Sequence, residues 1–164
     1  MIIVDAMVVI HLAKITLLEK GCGYFKQVVM PEEVYREIVE GKAKGYEDVS
    51  LIEALMKAEK LYVRKVRDGG LLRKAKEFNI QRGEAEALGL YWQENADYLA
   101  SDDDNLRRKR ELLNLKLVGT PAIILRLYKA GAIEKEKLFR SLNELRKIGW
   151  FSSAVLDKIM MEAE

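Results

Sequence analysis

The sequence predicts a three-layer α/β/α protein with a mainly parallel central sheet. Two observations carry this. Short apolar or alternating runs recur along the chain, and a segment of helical pattern separates each from the next. Strands joined through helices pair in parallel with right-handed crossovers, which puts helices on both faces of the sheet. The 164 residues suit one domain, with residues 133–164 as a helical C-terminal extension. No internal repeat, low-complexity tract or linker divides them.

The elements follow in order. Residues 2–4 form an apolar run that reads as a buried strand, and residues 7–20 have a helical pattern after Asp5. Residues 27–30 read as a second strand, and Pro31 suits the first turn of the helix behind it. Gly41 and Gly45 bracket a polar loop. Ser50 with Glu53 three residues later has the form of a capping box for a helix over 51–59. Residues 61–66 alternate as a strand, and Asp68, Gly69 and Gly70 make a turn. Helices are expected over 71–79 and 84–94, a fourth strand over 97–101, and Asp104 as cap of the next helix. A last short strand covers 115–118. Thr120 as N-cap, Pro121 at the first turn and Gly131 past the end frame another helix. Two further helices, over 133–147 and 153–162, are separated by Gly149, Trp150 and Phe151.

Composition excludes several classes. No apolar run reaches the roughly 18–20 residues that span a bilayer, and the opening residues lack the form of a signal peptide. One cysteine, Cys22, makes no internal disulfide and no zinc cluster. These features point to the cytoplasm. With 28 basic and 26 acidic residues the net charge is +2, so any nucleic-acid binding must come from a local patch.

In an open parallel sheet, ligands bind outside the carboxyl ends of the strands. Two places put carboxylates there: Asp5 after the first strand, and Asp102, Asp103 and Asp104 after the fourth. Aspartate at such a position is also a common turn and cap residue. Glu37 borders the apolar positions of its helix, Val34 and Ile38, whereas Glu32, Glu33 and Glu40 read as solvated. Glu84 and Glu86 lie about 200° apart around a helix, so only one can face a given site. Glu84 falls in the first turn, where the helix dipole alone accounts for an acid. Glu86 sits among Ala85, Ala87, Leu88 and Leu90, which suggests burial and a need for a cation. Arg107 to Arg110 form the densest basic run, readable as a solvated face or as a rim that grips phosphate. His11 reads as packing of the first helix, and Trp150 with Phe151 as core or as cover for a partner.

The run from Asp5 to Leu12 resembles the opening of PIN domains, in which an apolar strand ends in Asp and an apolar helix follows. Pro31 through Ile38, with Glu37, resembles the second motif. Gly83 through Leu88 resembles the third, where the acid immediately before Ala agrees with Glu86. Leu99 through Asp103 resembles the fourth, with Ser101 at the hydroxyl position two residues before Asp103. Val118 through Phe151 is similar to a subgroup of prokaryotic PIN proteins with added terminal helices. Met7 departs from the pattern, because a thioether cannot donate the hydrogen bond that a hydroxyl or amide would give Asp5.

The resemblance implies a ribonuclease that cuts single-stranded RNA with Mg²⁺ or Mn²⁺. It further implies a toxin of the toxin–antitoxin kind, a homodimer, silenced by a small antitoxin. Asp5, Glu86 and Asp103 are the expected metal contacts, with Glu37 and Asp102 acting directly or through water. Ser101, Arg107 and Arg108 are expected to meet the RNA. Oxygen-only ligands suit these hard cations, which lower the pKa of a bound water and offset charge on a phosphodiester. The alternative is a PIN-like module whose site has decayed and which binds RNA or a protein. A phosphatase or receiver domain fits worse, since Met7 stands where such a phosphatase needs a second aspartate.

Overall fold

The computed structural model describes residues 1–41 and 46–164. Five strands form one all-parallel sheet: β1 (Ile2–Val4), β2 (Val28–Pro31), β3 (Leu61–Arg64), β4 (Tyr98–Ala100) and β5 (Leu117–Val118). Their spatial order is β3-β2-β1-β4-β5. The chain therefore leaves β1 toward one edge and later returns to build the other, which makes the gap between β1 and β4 the switch point of the sheet. Register pairs Ile3 with Val29 on one side and with Leu99 on the other.

Alternation along the strands sorts the core into two halves. Ile2, Val4, Val28, Met30 and Ala100 face one half, and Ile3, Val29 and Leu99 face the other. The first half is covered by α1 (Ala6–Lys14), α2 (Leu18–Phe25), α3 (Glu32–Glu40), α4 (Tyr46–Lys57) and α8 (Thr120–Lys129). The helical C-terminal part, α9 (Lys135–Ile148) and α10 (Ser153–Ala163), packs on α8 and adds Leu138, Leu142, Leu145 and Leu156 to the same half. The second half is covered by α5 (Gly69–Glu77), α6 (Arg82–Gln93) and α7 (Asp104–Lys109). This is the three-layer α/β/α arrangement expected from the sequence.

Several local expectations are corrected. The single helix read over 7–20 is two, because Thr16 takes a left-handed conformation (φ 59°) that no continuous helix accepts. Lys137 Nζ, on α9, binds the bend through Ile15 O and Thr16 Oγ1. Pro31 ends β2 and precedes α3 instead of lying in its first turn. Ser50 and Glu53 fall inside α4, which starts at Tyr46, so they are not a capping box. Asp103, not Asp104, caps α7, since its extended backbone (φ −74°, ψ 127°) lets its carboxylate accept from Leu106 N. Gly119, not Thr120, is the cap residue of α8, although Pro121 and the left-handed Gly131 stand as expected. Of the loop read between Gly41 and Gly45, everything past Gly41 lies outside the described residues.

Candidate active site

Three backbone carboxyl ends converge at the switch point. β1 delivers Asp5, β4 delivers Ser101 to Asp103, and β5 delivers Gly119 and Thr120. Asp5 is the N-cap of α1 and accepts from Val8 N at 2.9 Å. Its carboxyl is buried, and that burial pushes its pKa up to about 7. The Ser101 hydroxyl and the Val8 N–H favour the charged form, whereas the charges of Asp102 and Glu84 oppose it. Ser101 thus supplies a hydroxyl to Asp5 where Met7 cannot.

Glu84, not Glu86, shares the field of Asp5. It also faces Glu37, whose carboxyl is pushed up by partial burial, then by Glu84 and Glu33, and is opposed by Arg82 and the Gly83 N–H. Gly83 makes that approach possible: a Cβ there would stand 2.9 Å from both Glu37 oxygens. Glu84 is thus coupled by charge both to Asp5 at the strand end and to Glu37 on α3. Glu86 lines an open cavity of about 700 Å³ together with Glu33, Glu37 and Arg82. Burial and Glu33 raise its pKa, and Arg36 lowers it. Of the two glutamates, Glu84 is the one whose charge acts on Asp5, whereas Glu86 lines the cavity it shares with Glu37. The apolar neighbours of Glu86 bury the helix backbone, while its own longer side chain remains half-buried.

Asp102 and Asp103 part company. Asp103 N donates to Ser101 Oγ at 3.1 Å, and the Asp103 carboxylate caps α7 at the edge of the site. The Asp102 carboxylate is turned inward and almost wholly enclosed. It accepts from Thr120 N (2.7 Å) and Thr120 Oγ1 (2.5 Å), and lies 2.8 Å from His11 Nδ1. Its main-chain oxygen accepts from Trp150 Nε1 at 3.1 Å, and Phe151 meets the His11 ring edge-on at 5.1 Å. The role expected of the Asp102 carboxylate as a ligand competes with Thr120 and His11. Arg107 and Arg108 are exposed on α7, Arg107 pairing with Asp104 at 2.6 Å.

His11, Thr120 and Trp150 were not singled out for the site from the sequence. Thr120 had a signal, because it follows the carboxyl end of β5 just as Asp5 follows β1. His11 had none, since its partner lies 91 residues away.

The donors gathered here are oxygens, and a buried carboxyl that is costly to ionise next to other acids is eased by a cation. The residues fit a hard divalent ion in kind. Among the described residues, however, no three acidic, His or Cys side chains are drawn together tightly enough to hold an ion as they stand.

Fold and site together define a doubly wound α/β protein with an acidic centre at its switch point. The chain belongs to the PIN-domain family: a family model described as a PIN domain matches residues 1–164. PIN domains are usually nucleases and typically use divalent metals. That match carries the family but not the toxin subgroup. No curated protein and no solved structure matches the chain. No helix among the described residues is long and apolar enough to cross a membrane.

Proposed function

We propose that the chain is a divalent-metal-dependent endoribonuclease that hydrolyses phosphodiester bonds of single-stranded RNA. The observation that carries this reading is Asp5, an acid fixed at the switch point in surroundings that disfavour its charge. Asp5 and Glu84 would hold Mg²⁺ or Mn²⁺, with Glu37 and Asp103 as further carboxylates that must draw closer to complete the site. When bound, the ion supplies neutralisation of the carboxylates and Lewis acidity toward the phosphodiester. The chain's own residues do the rest. Ser101 and Val8 aim Asp5, the Gly83 N–H holds Glu37, and Arg107 and Arg108 are exposed where a backbone phosphate could meet them. The proposal extends to residues 1–164 acting as one domain with a helical extension from 133. It extends also to a cytoplasmic toxin, homodimeric and restrained by a small antitoxin. Those points rest on the family resemblance alone.

A second reading is a PIN-like module with a decayed site that binds RNA or protein. The commitment of Asp102 to His11 and Thr120, together with Met7, favours it.

The test is cleavage of a labelled single-stranded RNA with Mn²⁺, Mg²⁺ or EDTA. Asp5→Asn and Glu84→Gln should lose activity by on the order of a hundredfold or more, and Glu86→Gln should stay within a few-fold of wild type. Equal losses in Glu84→Gln and Glu86→Gln would return Glu86 to the site. No cutting of several RNAs, with no Mn²⁺ binding by calorimetry, would leave the decayed-site reading.

A further inference from the structure

A cavity of about 540 Å³ lies beside Asp102 and Asp103, between the start of α7 and the segment joining α9 to α10. Its volume is within the roughly 300–1,000 Å³ of small-ligand sites. Trp150 and Phe151 form one wall and Pro121 part of another. Trp150 is 53% exposed, yet its Nε1–H is tied to the Asp102 carbonyl oxygen. The indole is thus held by its polar edge while much of its apolar surface stays open, an arrangement with little ordering entropy left to lose on binding.

Three cations share the rim. Arg107 is paired with Asp104, but both are more than half exposed, so the pair is weakly held. Lys158 stands 4.0 Å from Glu162. Arg110 donates to the Arg107 carbonyl and has no carboxylate partner among the described residues. Three acids line the same rim: Asp104 is the partner of Arg107, the Asp102 carboxylate is enclosed by Thr120 and His11, and Asp103 caps α7. That leaves Arg110 and Lys158 without a carboxylate partner among the lining residues.

A fixed, open aromatic ring flanked by exposed cations suits single-stranded nucleic acid, in which bases stack and phosphates seek positive charge. We infer that this cavity takes one unpaired base of the RNA strand, stacked on Trp150, with the neighbouring phosphate held by Arg110 and Lys158. The inference rests on the ribonuclease reading of the acidic site. Asp102 joins the two places: its carbonyl fixes Trp150, and the hydroxyl of its neighbour Ser101 meets Asp5. A strand seated on Trp150 therefore lies against the same turn whose Ser101 hydroxyl meets Asp5.

The test is fluorescence anisotropy in EDTA with two labelled ten-nucleotide probes, a mixed-sequence RNA and a strand of the same length without bases. Wild type should bind the base-bearing probe about tenfold more tightly. Trp150→Leu should abolish that preference, and Trp150→Phe, which keeps a ring but loses the N–H, should restore most of it. Arg110→Ala should weaken both probes alike. A preference that survives Trp150→Leu, or wild type binding neither probe, overturns the inference. So does a dimer that Trp150→Leu dissolves without changing RNA affinity, which would give this face to a second copy. Metal-dependent cutting with no role for Trp150 sinks the base pocket alone. A Trp150-dependent preference without any cutting sinks the nuclease reading alone.

Discussion

Replacing Asp5 by Asn should make the metal-free protein more stable at neutral pH. The carboxyl has a pKa of about 7 in the fold, against an ordinary value of 3.8, because burial penalises its charge. The folded state therefore binds a proton that the unfolded state has released. Stability contributed by this group is fully present below pH 3.8 and is lost as pH rises through about 7. At about 1.4 kcal/mol for each pH unit between the two values, the loss is about 4 kcal/mol, a large part of a domain's roughly 5–15 kcal/mol. Asparagine does not titrate, and its side-chain oxygen can still accept from Val8 N, so the α1 cap survives. The assay is urea unfolding by circular dichroism in EDTA at pH 4 to 8, wild type against Asp5→Asn. Groups distant from Asp5 contribute equally to both proteins, so the difference reports Asp5 and the acids coupled to it. It should be small at pH 4, grow to pH 7 and then level off, with the variant ahead. Adding Mn²⁺ at a hundred times its Kd should return about 2.7 kcal/mol to the wild type and nothing to the variant. A variant that is less stable at pH 8 in EDTA, or a difference independent of pH, would refute the reasoning.

Two further outcomes follow from the site's geometry. Gly83→Ala places a Cβ against both Glu37 oxygens, which can swing away at little cost, while a helical alanine gains about 0.5–1 kcal/mol over glycine. Thermal stability should hold or rise while metal-dependent cleavage falls at least about tenfold; unchanged cleavage would remove Glu37 from the chemistry. His11→Leu strips one of the partners from the enclosed Asp102 carboxylate and should cost about 2–3 kcal/mol in urea unfolding. Combined with Thr120→Val the loss should be less than additive, because both side chains serve the same carboxylate.

The sheet was legible because its strands are buried on both faces and so appear as short apolar runs, as in Ile2 to Val4 and Val28 to Met30. The place of the site was legible for a related reason, since a parallel sheet presents its strand ends to ligands and Asp5 and Asp103 stand there. What the sequence left open was how side chains from distant segments meet. Periodicity separates Glu84 from Glu86 but cannot say which side of α6 meets β1; that depends on how α6 packs on the sheet. Thr16 gave no warning of a break, because a threonine in a left-handed conformation has no compositional mark. His11 looked like an ordinary core residue, and its ring is buried; only the folded chain brings Asp102 to it. The capping signals erred by one residue at Asp103 and Thr120 because adjacent residues of cap type compete, and the backbone torsions choose among them.

The strand order carries a consequence for how the chain is made. β1 is the middle strand, but its two neighbours are synthesised at very different times: β2 follows within thirty residues, and β4 arrives only near residue 98. Through most of translation one side of β1 is an open edge with unpaired main-chain groups, a condition that invites pairing with the wrong partner. Ser101, which aims Asp5, emerges after that interval, and Trp150, which braces the same turn, later still. A nascent chain on the ribosome, surrounded by RNA, thus carries its first acid for nearly a hundred residues with Val8 beside it but without the Ser101 hydroxyl that completes its orientation.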